Sequence, residues 1–263
     1  MTDQLLASKR DGVARLVLNQ PHKLNAISFE MWQGMAHALA DFARDDAVRV
    51  VVVEGARGAK PAFSAGADIS QFADRRDSKD DIARYNRAVK DGEHALMNIA
   101  KPTIAKIHGY CVGGGLGVAI CCDLRIASHD SHFGIPAAKL GLGYGLDALQ
   151  PLVELVGPSA AKEILYTAKR FTAAEALIMG LINRAVPAAD LDAFVDDYTA
   201  TIAGNAPLTI KAVKGIIAQT LRDEARRDVA LCAKLVDDCY ASGDYTEGRT
   251  AFMEKRKPVF GRG

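Results

Sequence analysis

The sequence is poor in the features that mark several classes of protein. No apolar stretch reaches about 20 residues without a charge, which excludes a membrane-spanning helix on length. No CxxC pair occurs among the five cysteines (Cys111, Cys121, Cys122, Cys232 and Cys239). An odd number without paired spacing argues against a disulfide framework and a thiolate metal site, so buried reduced thiols are expected. The six histidines lack metal-ligand spacing, and no metal is expected. Charge of one sign is missing too. Against 33 Lys+Arg stand 32 Asp+Glu, a formal balance of +1 that predicts neither a nucleic-acid partner nor an anionic membrane surface. The first residues, Met1-Thr2-Asp3-Gln4-Leu5-Leu6, contain no basic region followed by an apolar run, so no signal peptide is expected and the location expected is cytoplasmic.

What is present is ordinary globular composition. At 263 residues, 49% hydrophobic and 25% charged, the chain fits one large domain or one with an appendage, and can bury a sizeable core. Residues 13–18 read as a strand closed by Asn19-Gln20-Pro21. Ser28 caps a helix whose Phe29, Trp32, Ala36, Leu39 and Phe42 recur at helical spacing. The β-branched run at 48–53 predicts a strand buried on both faces. The charged stretch 74–81 reads as a solvated segment or a lid, and a helix is predicted over 82–99, stopped by Lys101-Pro102.

Farther on, 123–127 reads as a strand, 140–146 as a glycine-rich loop and 158–168 as a short helix. Thr172-x-x-Glu175 is a capping pattern, and Gly180 ends the helix it starts. Beyond Pro187 the pattern is helical, over 191–203, 207–226 and on past Cys239. Strands alternating with helices, then a helical tail, predict an α/β core over 1–200 and a C-terminal helical region over 201–263.

The most informative stretch is Gly109-Tyr110-Cys111-Val112-Gly113-Gly114-Gly115-Leu116-Gly117, set between a strand-like segment and a helix-like one. Backbone without Cβ atoms approaches a ligand closely, and a helix start offers unpaired N–H groups to a developing negative charge. A dinucleotide fingerprint fails, because its third glycine would fall on Val118, or on Leu146 if counted from Gly141. A P-loop fails because no Gly-Lys-Ser/Thr follows. An oxyanion hole and a tight turn packing helix on sheet both remain.

Several blocks together resemble the crotonase (enoyl-CoA hydratase/isomerase) superfamily. They are Asn19-Gln20-Pro21 with Leu24-Asn25-Ala26, Phe63-Ser64-Ala65-Gly66-Ala67-Asp68-Ile69, Lys101-Pro102-Thr103-Ile104-Ala105 with the glycine run, Cys122-Asp123-Leu124-Arg125-Ile126-Ala127, Phe133-Gly134-x-Pro136, and the tail Phe252-Met253-Glu254-Lys255-Arg256-Lys257-Pro258. The resemblance spans nearly the whole chain. It implies a repeated ββα spiral core, a C-terminal helical trimerisation region, a homotrimer or dimer of trimers, and an acyl-CoA thioester as substrate. Coenzyme A then arrives as part of the substrate, with no separate cofactor. By the same resemblance the backbone N–H groups of Ala67 and Gly114 hold the thioester oxygen. The loop up to Ala26, with Ala65, Asp68, Ile69, Ser70 and Gly113, lines the CoA path. Lys255 and Lys257 either neutralise CoA phosphates or form a solvated tail.

Hydratases of that superfamily use two glutamates, one two residues beyond the triple glycine and one directly after the Phe-Gly-x-Pro block. This chain has Gly117 and Ala137 there, and neither can transfer a proton. Tyr144 matches a tyrosine of the methylmalonyl-CoA decarboxylase branch, where loss of CO₂ leaves an enolate for the oxyanion hole. That branch carries histidine at the position of Ala67 and an aromatic-acidic pair at Leu116-Gly117. Some relatives place a catalytic aspartate on the loop that holds Asp147, two positions earlier. His108 and His132 read as structural groups, as does Asp123 at the strand that follows the helix. The expectation is thus a lyase, hydratase by overall resemblance and decarboxylase by residue chemistry. A silent acyl-CoA-binding protein and a thioester hydrolase using Asp147 are the alternatives.

Overall fold

The computed structural model describes residues 3–71 and 78–261; the part of the charged stretch at 74–77 lies outside the described residues. Among the described residues, ten strands form two sheets. The larger holds β1 (Leu5–Arg10), β2 (Val13–Leu18), β3 (Val50–Gly55), β5 (Thr103–Ile107), β7 (Leu124–Ser128) and β10 (Arg184–Val186), in that spatial order. The smaller runs β4 (Ala62–Ser64), β6 (Tyr110–Val112), β8 (His132–Gly134) and β9 (Phe171–Thr172). The β1–β2 hairpin turns at Asp11 and Gly12, both at positive φ as a two-residue hairpin loop requires. From β2 onward the large sheet is parallel.

Each pair of strands feeds a helix. The hairpin leads into α1 (Phe29–Arg44), β3 and β4 into α2 (Lys79–Asn98), β5 and β6 into α3 (Gly114–Ile120), and β7 and β8 into α4 (Ala137–Leu140). This is the repeated ββα core that the resemblance implies. At the second step the chain leaves one sheet for the other at Gly109, whose φ is 64° and whose absent Cβ would run into the Pro61 carbonyl, so only glycine fits.

Burial follows from the periodicities. Ser28 Oγ accepts from the Met31 N–H, and α1 then buries Phe29, Met31, Trp32, Met35, Ala38, Leu39 and Phe42. Each of the larger side chains contributes roughly 1.5–3 kcal/mol on removal from water. In β3, Val51 and Val53 join this core while Val50 and Val52 face a second cluster with Leu191 and Val195 of α7 (Leu191–Ala203), which explains an uninterrupted valine run. Lys106 of β5 pairs with Glu54 of β3 and donates to Asp192 of α7 at 2.8 Å, tying that helix to the sheet. The position expected to separate two regions, after 200, falls inside α7.

Some elements differ from the sequence reading. The strand expected at 48–53 occupies Val50–Gly55, because Val48 closes the preceding turn by donating to the Asp45 carbonyl. The helix expected at 158–168 is the second half of α5 (Leu146–Thr167), which breaks at Gly157 (φ 72°, ψ 167°). The helix expected over 207–226 stops at Thr220 as α8 (Pro207–Thr220), followed by a 3-10 turn over Glu224–Arg226. Between α5 and α7 lies α6 (Ala173–Ile178), with the full capping box: Thr172 Oγ1 accepts from Glu175 N, and Glu175 accepts from Thr172 N. Helices α9 (Val229–Tyr240) and α10 (Gly243–Met253) complete the chain. Helices α8 to α10 bury little, and leave Val213, Ile217, Tyr240, Phe252 and Met253 exposed. Among the described residues no helix is long and apolar enough to cross a membrane.

Candidate active site

The centre of the molecule is a close approach between two loops. After β4 the chain runs Ala65-Gly66-Ala67. Gly66 has φ 102°, and a Cβ there would meet the Val112 carbonyl at 2.9 Å and the Gly114 nitrogen at 3.2 Å. Ile27 N donates to the Gly66 carbonyl at 2.7 Å, and Asp68 N to the Ile27 carbonyl at 2.9 Å. Those bonds pin the segment on both sides and leave the Ala67 N–H pointing elsewhere.

The glycine run forms the opposite wall. Gly113 (φ 55°) donates to the Gly134 carbonyl at 2.8 Å and turns the chain into α3. A Cβ on Gly115 would stand 2.6 Å from Ser64 Cβ and 2.7 Å from its carbonyl oxygen, so glycine lets α3 lie directly on β4. A Cβ on Gly114 would stand 3.5 Å from the Ala67 nitrogen. The backbones of Ala67 and Gly114 are therefore neighbours, and neither N–H has a protein acceptor among the described residues. Paired donors of this kind match an oxygen on which charge develops.

They open onto a cavity of about 390 Å³. Of the residues singled out from sequence, Ala65, Ala67, Ile69, Gly113, Gly114, Gly117, Ala137, Tyr144 and Asp147 all line it. Ala26 does not; it is buried behind the wall, its carbonyl accepting from Gln20 Nε2 at 2.7 Å. Asp68 and Ser70 form a closed cluster beside the cavity: Lys23 Nζ reaches Asp68 at 2.8 Å, and Ser70 Oγ donates to Asp68 at 2.6 Å. Burial works against the Asp68 carboxylate, but the Lys23 and Ser70 bonds outweigh it and hold its pKa below the ordinary value. Lys255 and Lys257 are exposed on the tail and do not line the cavity. A larger apolar groove of about 910 Å³, between α8, α9 and α10, shares no residue with it.

Asp147, at the start of α5, is half-exposed and bonded to Lys90 Nζ of α2 at 2.6 Å, which keeps its pKa below the usual carboxylate range. Tyr144 packs partly buried against the main core. The buried thiols Cys111, Cys121 and Cys122 are pushed up by desolvation, Cys122 to about 12, so none offers a thiolate. Asp123 accepts from Thr103 N at 2.8 Å and from Lys214 Nζ at 2.7 Å, a tie between strand and C-terminal region.

One residue that sequence reasoning missed completes the cavity. A Cβ on Gly117 would lie 2.9 Å from Oε1 of Glu93, a glutamate on α2. The two positions read as lacking a carboxyl do lack one, but carboxyls reach the cavity from other elements: Glu93 and Asp147 both line it. Desolvation, helped by the charge of Asp147, raises the Glu93 pKa to about 7. A signal for it was present in the sequence. Glu93 falls beside the buried stripe Tyr85, Ala88, Gly92 and Leu96 of α2, where a charged side chain is out of place.

Known proteins resemble the chain over nearly its whole length. The family described as Enoyl-CoA hydratase/isomerase matches residues 8–263. A short-chain-enoyl-CoA hydratase of Clostridium acetobutylicum is 31% identical over 255 residues, covering 97% of this chain and 96% of its own. A crotonyl-CoA hydratase of Syntrophomonas wolfei is 33% identical over 259 residues, covering 98% of each. The crystal structure of an enoyl-CoA hydratase/carnithine racemase from Magnetospirillum magneticum superposes with a TM-score of 0.90 at 33% identity, covering 100% of this chain and 97% of that one.

Proposed function

The chain belongs to the enoyl-CoA hydratase/isomerase family, and from that premise we propose that it processes an acyl-CoA thioester through an enolate held by the Ala67 and Gly114 N–H groups. The observation that carries this is the pair of neighbouring backbone N–H groups at the wall of the cavity, without a protein acceptor among the described residues. Removing or adding a group beside a thioester carbonyl puts negative charge on its oxygen, and fixed donors in a desolvated site stabilise that charge. Loss of one donor costs about 3–4 kcal/mol, or a factor of about 10²–10³ in turnover.

Two lyase reactions lead through such an enolate, hydration and decarboxylation. A malonyl-type substrate would bring its own carboxylate into a cavity that already holds Glu93 and Asp147, and like charges at close range oppose one another. The geometry thus favours an unsaturated acyl-CoA over a malonyl-type one. Hydrolysis by Asp147 is disfavoured by its bond to Lys90. We place the CoA phosphates near Lys23 and the tail lysines, reaction in the cytoplasm, and assembly of a trimer on the exposed apolar face of α8 to α10.

The test is to incubate crotonyl-CoA and methylmalonyl-CoA separately with the protein and follow each by mass spectrometry. Loss of CO₂ from the second is not expected, and gain of water by the first would make hydration the reaction. In whichever reaction proceeds, Ala67→Pro, which deletes one donor, should lower turnover by about 10²–10³. Full activity in that variant would sink the oxyanion reading, and binding without turnover in a broad thioester panel would make the chain a binding protein.

A further inference from the structure

We propose that Glu93 is the proton-transferring group of this cavity, reaching from α2 into the space that a side chain at 117 would fill, and that it shifts a proton between two carbons of an unsaturated acyl-CoA. This rests on the acyl-CoA reading above. Glu93 Oε1 stands 2.9 Å from where a Cβ of residue 117 would begin. Gly117 follows Gly114 by three residues on α3, one helical turn, so their faces lie about 5–6 Å apart. A thioester whose oxygen rests at the Gly114 N–H therefore has its α-carbon within reach of the Glu93 carboxyl. The glycine at 117 and the glutamate at 93 are complementary: a side chain at 117 would collide with the carboxyl that now occupies the place.

Nothing else among the described residues uses this carboxyl. Glu93 is part-buried, lines the cavity, and makes no hydrogen bond or ion pair among the described residues. A carboxyl left unpartnered in a desolvated place costs stability, which marks it as a functional group. The charged and titratable groups around it are Asp147 on α5, itself held by Lys90, and the buried Cys121 thiol just after α3. This setting brings its pKa to about 7, where both its forms are populated near neutrality.

The step that one carboxyl can complete alone is a 1,3-proton shift. With a 3-enoyl-CoA, the Glu93 carboxylate takes a proton from C2. The electrons of that C–H bond form the C2–C3 double bond through a dienolate whose charge rests on the thioester oxygen. The C3–C4 π electrons then take the proton back from the Glu93 carboxylic acid at C4, giving the 2-enoyl-CoA. Atoms and electrons balance without water, oxidant or reductant. Ala137, where the resembled hydratases carry a second glutamate, supplies nothing to activate water from the other side.

The experiment uses 3-butenoyl-CoA in D₂O, with the conjugated product followed by ultraviolet absorbance and its deuterium by mass spectrometry, beside calorimetric binding of butyryl-CoA. Wild type should form crotonyl-CoA, carrying deuterium to the extent that the Glu93 carboxylic acid exchanges with solvent before it returns the proton, with a rate that rises as pH passes through about 7. Glu93→Gln should lower the rate at least about 100-fold, while the butyryl-CoA dissociation constant changes less than about threefold, a limit set well under one decade of binding energy. In the Glu93→Ala/Gly117→Glu double variant, a carboxyl returned to α3 should restore part of the rate. A Glu93→Gln variant as fast as wild type overturns the assignment while leaving the enolate reading intact. Binding of butyryl-CoA by the wild type with neither isomerisation nor deuterium uptake overturns both, and no binding at all removes the acyl-CoA reading beneath them.

Discussion

Adding one methyl group at Gly115 should damage the protein in a way that can be computed from two distances. A Cβ there would sit 2.6 Å from Ser64 Cβ and 2.7 Å from the Ser64 carbonyl oxygen. Comfortable separation of carbons is about 3.5–4.0 Å, so α3 has to lift off β4 by about 1 Å. Neither contact atom is the far end of a flexible side chain, so backbone must move. Overpacking of this size costs typically 1–3 kcal/mol, and at roughly 2–4 °C per kcal/mol for a domain this large Gly115→Ala should melt about 2–12 °C lower. The functional effect is larger. The shift carries the Gly114 N–H away from the Ala67 N–H, and a misplacement of about 1 Å typically costs about 10² in rate. The assay is turnover of whichever thioester proves active, beside thermal melting of Gly115→Ala and of a control, Gly243→Ala. A Cβ at Gly243 meets nothing within 4 Å, so the control should melt no lower than wild type. Wild-type melting and turnover in Gly115→Ala would refute the claim that glycine is needed to close α3 on β4.

Two further outcomes concern stability. The His108 ring is buried with neither nitrogen partnered among the described residues, and desolvation, reinforced by Arg57 and Lys106, lowers its pKa to about 4. The unfolded chain therefore binds the extra proton between about pH 6.5 and 4, so stability is full above 6.5 and falls through that window by up to about 3 kcal/mol. Urea midpoints across this range should show the fall, and His108→Phe should flatten it; an unchanged pH slope in that variant would contradict the assignment. Asp123→Ala removes the acceptor for Thr103 N and the partner of Lys214, and should cost about 1–3 kcal/mol in urea unfolding without a change in slope.

Much of the architecture was legible because local chemistry and tertiary need coincide. Ser28 has both the side chain of a cap and an apolar stripe behind it, and the valines of β3 announce a strand covered on both faces. The first half of α5 was not legible, since Pro151, Gly157 and Pro158 crowd a segment that nonetheless runs helical on either side of one left-handed residue. The backbone half of the candidate site was readable from Gly113 to Gly115, because close approach restricts the residue type. Glu93 was legible only as a charge beside the buried stripe of α2. Its role depends on how α2 lies against α1 and α3, with Gly92 letting Trp32 of α1 come within 3.1 Å of where a Cβ at 92 would be, and no local pattern encodes that packing.

The four strand–strand–helix units have a consequence for how chemistry is distributed in this molecule. The two donors come from different turns of the coil, Ala67 from the second and Gly114 from the third, and meet only where successive turns touch. Such a clamp is built from main chain and is stationary. The acid is portable: any helix whose face reaches the joint, α2, α3 or α4, is a socket into which a carboxyl can be plugged. In this chain two sockets are vacant, at Gly117 and Ala137, and Glu93 fills a third.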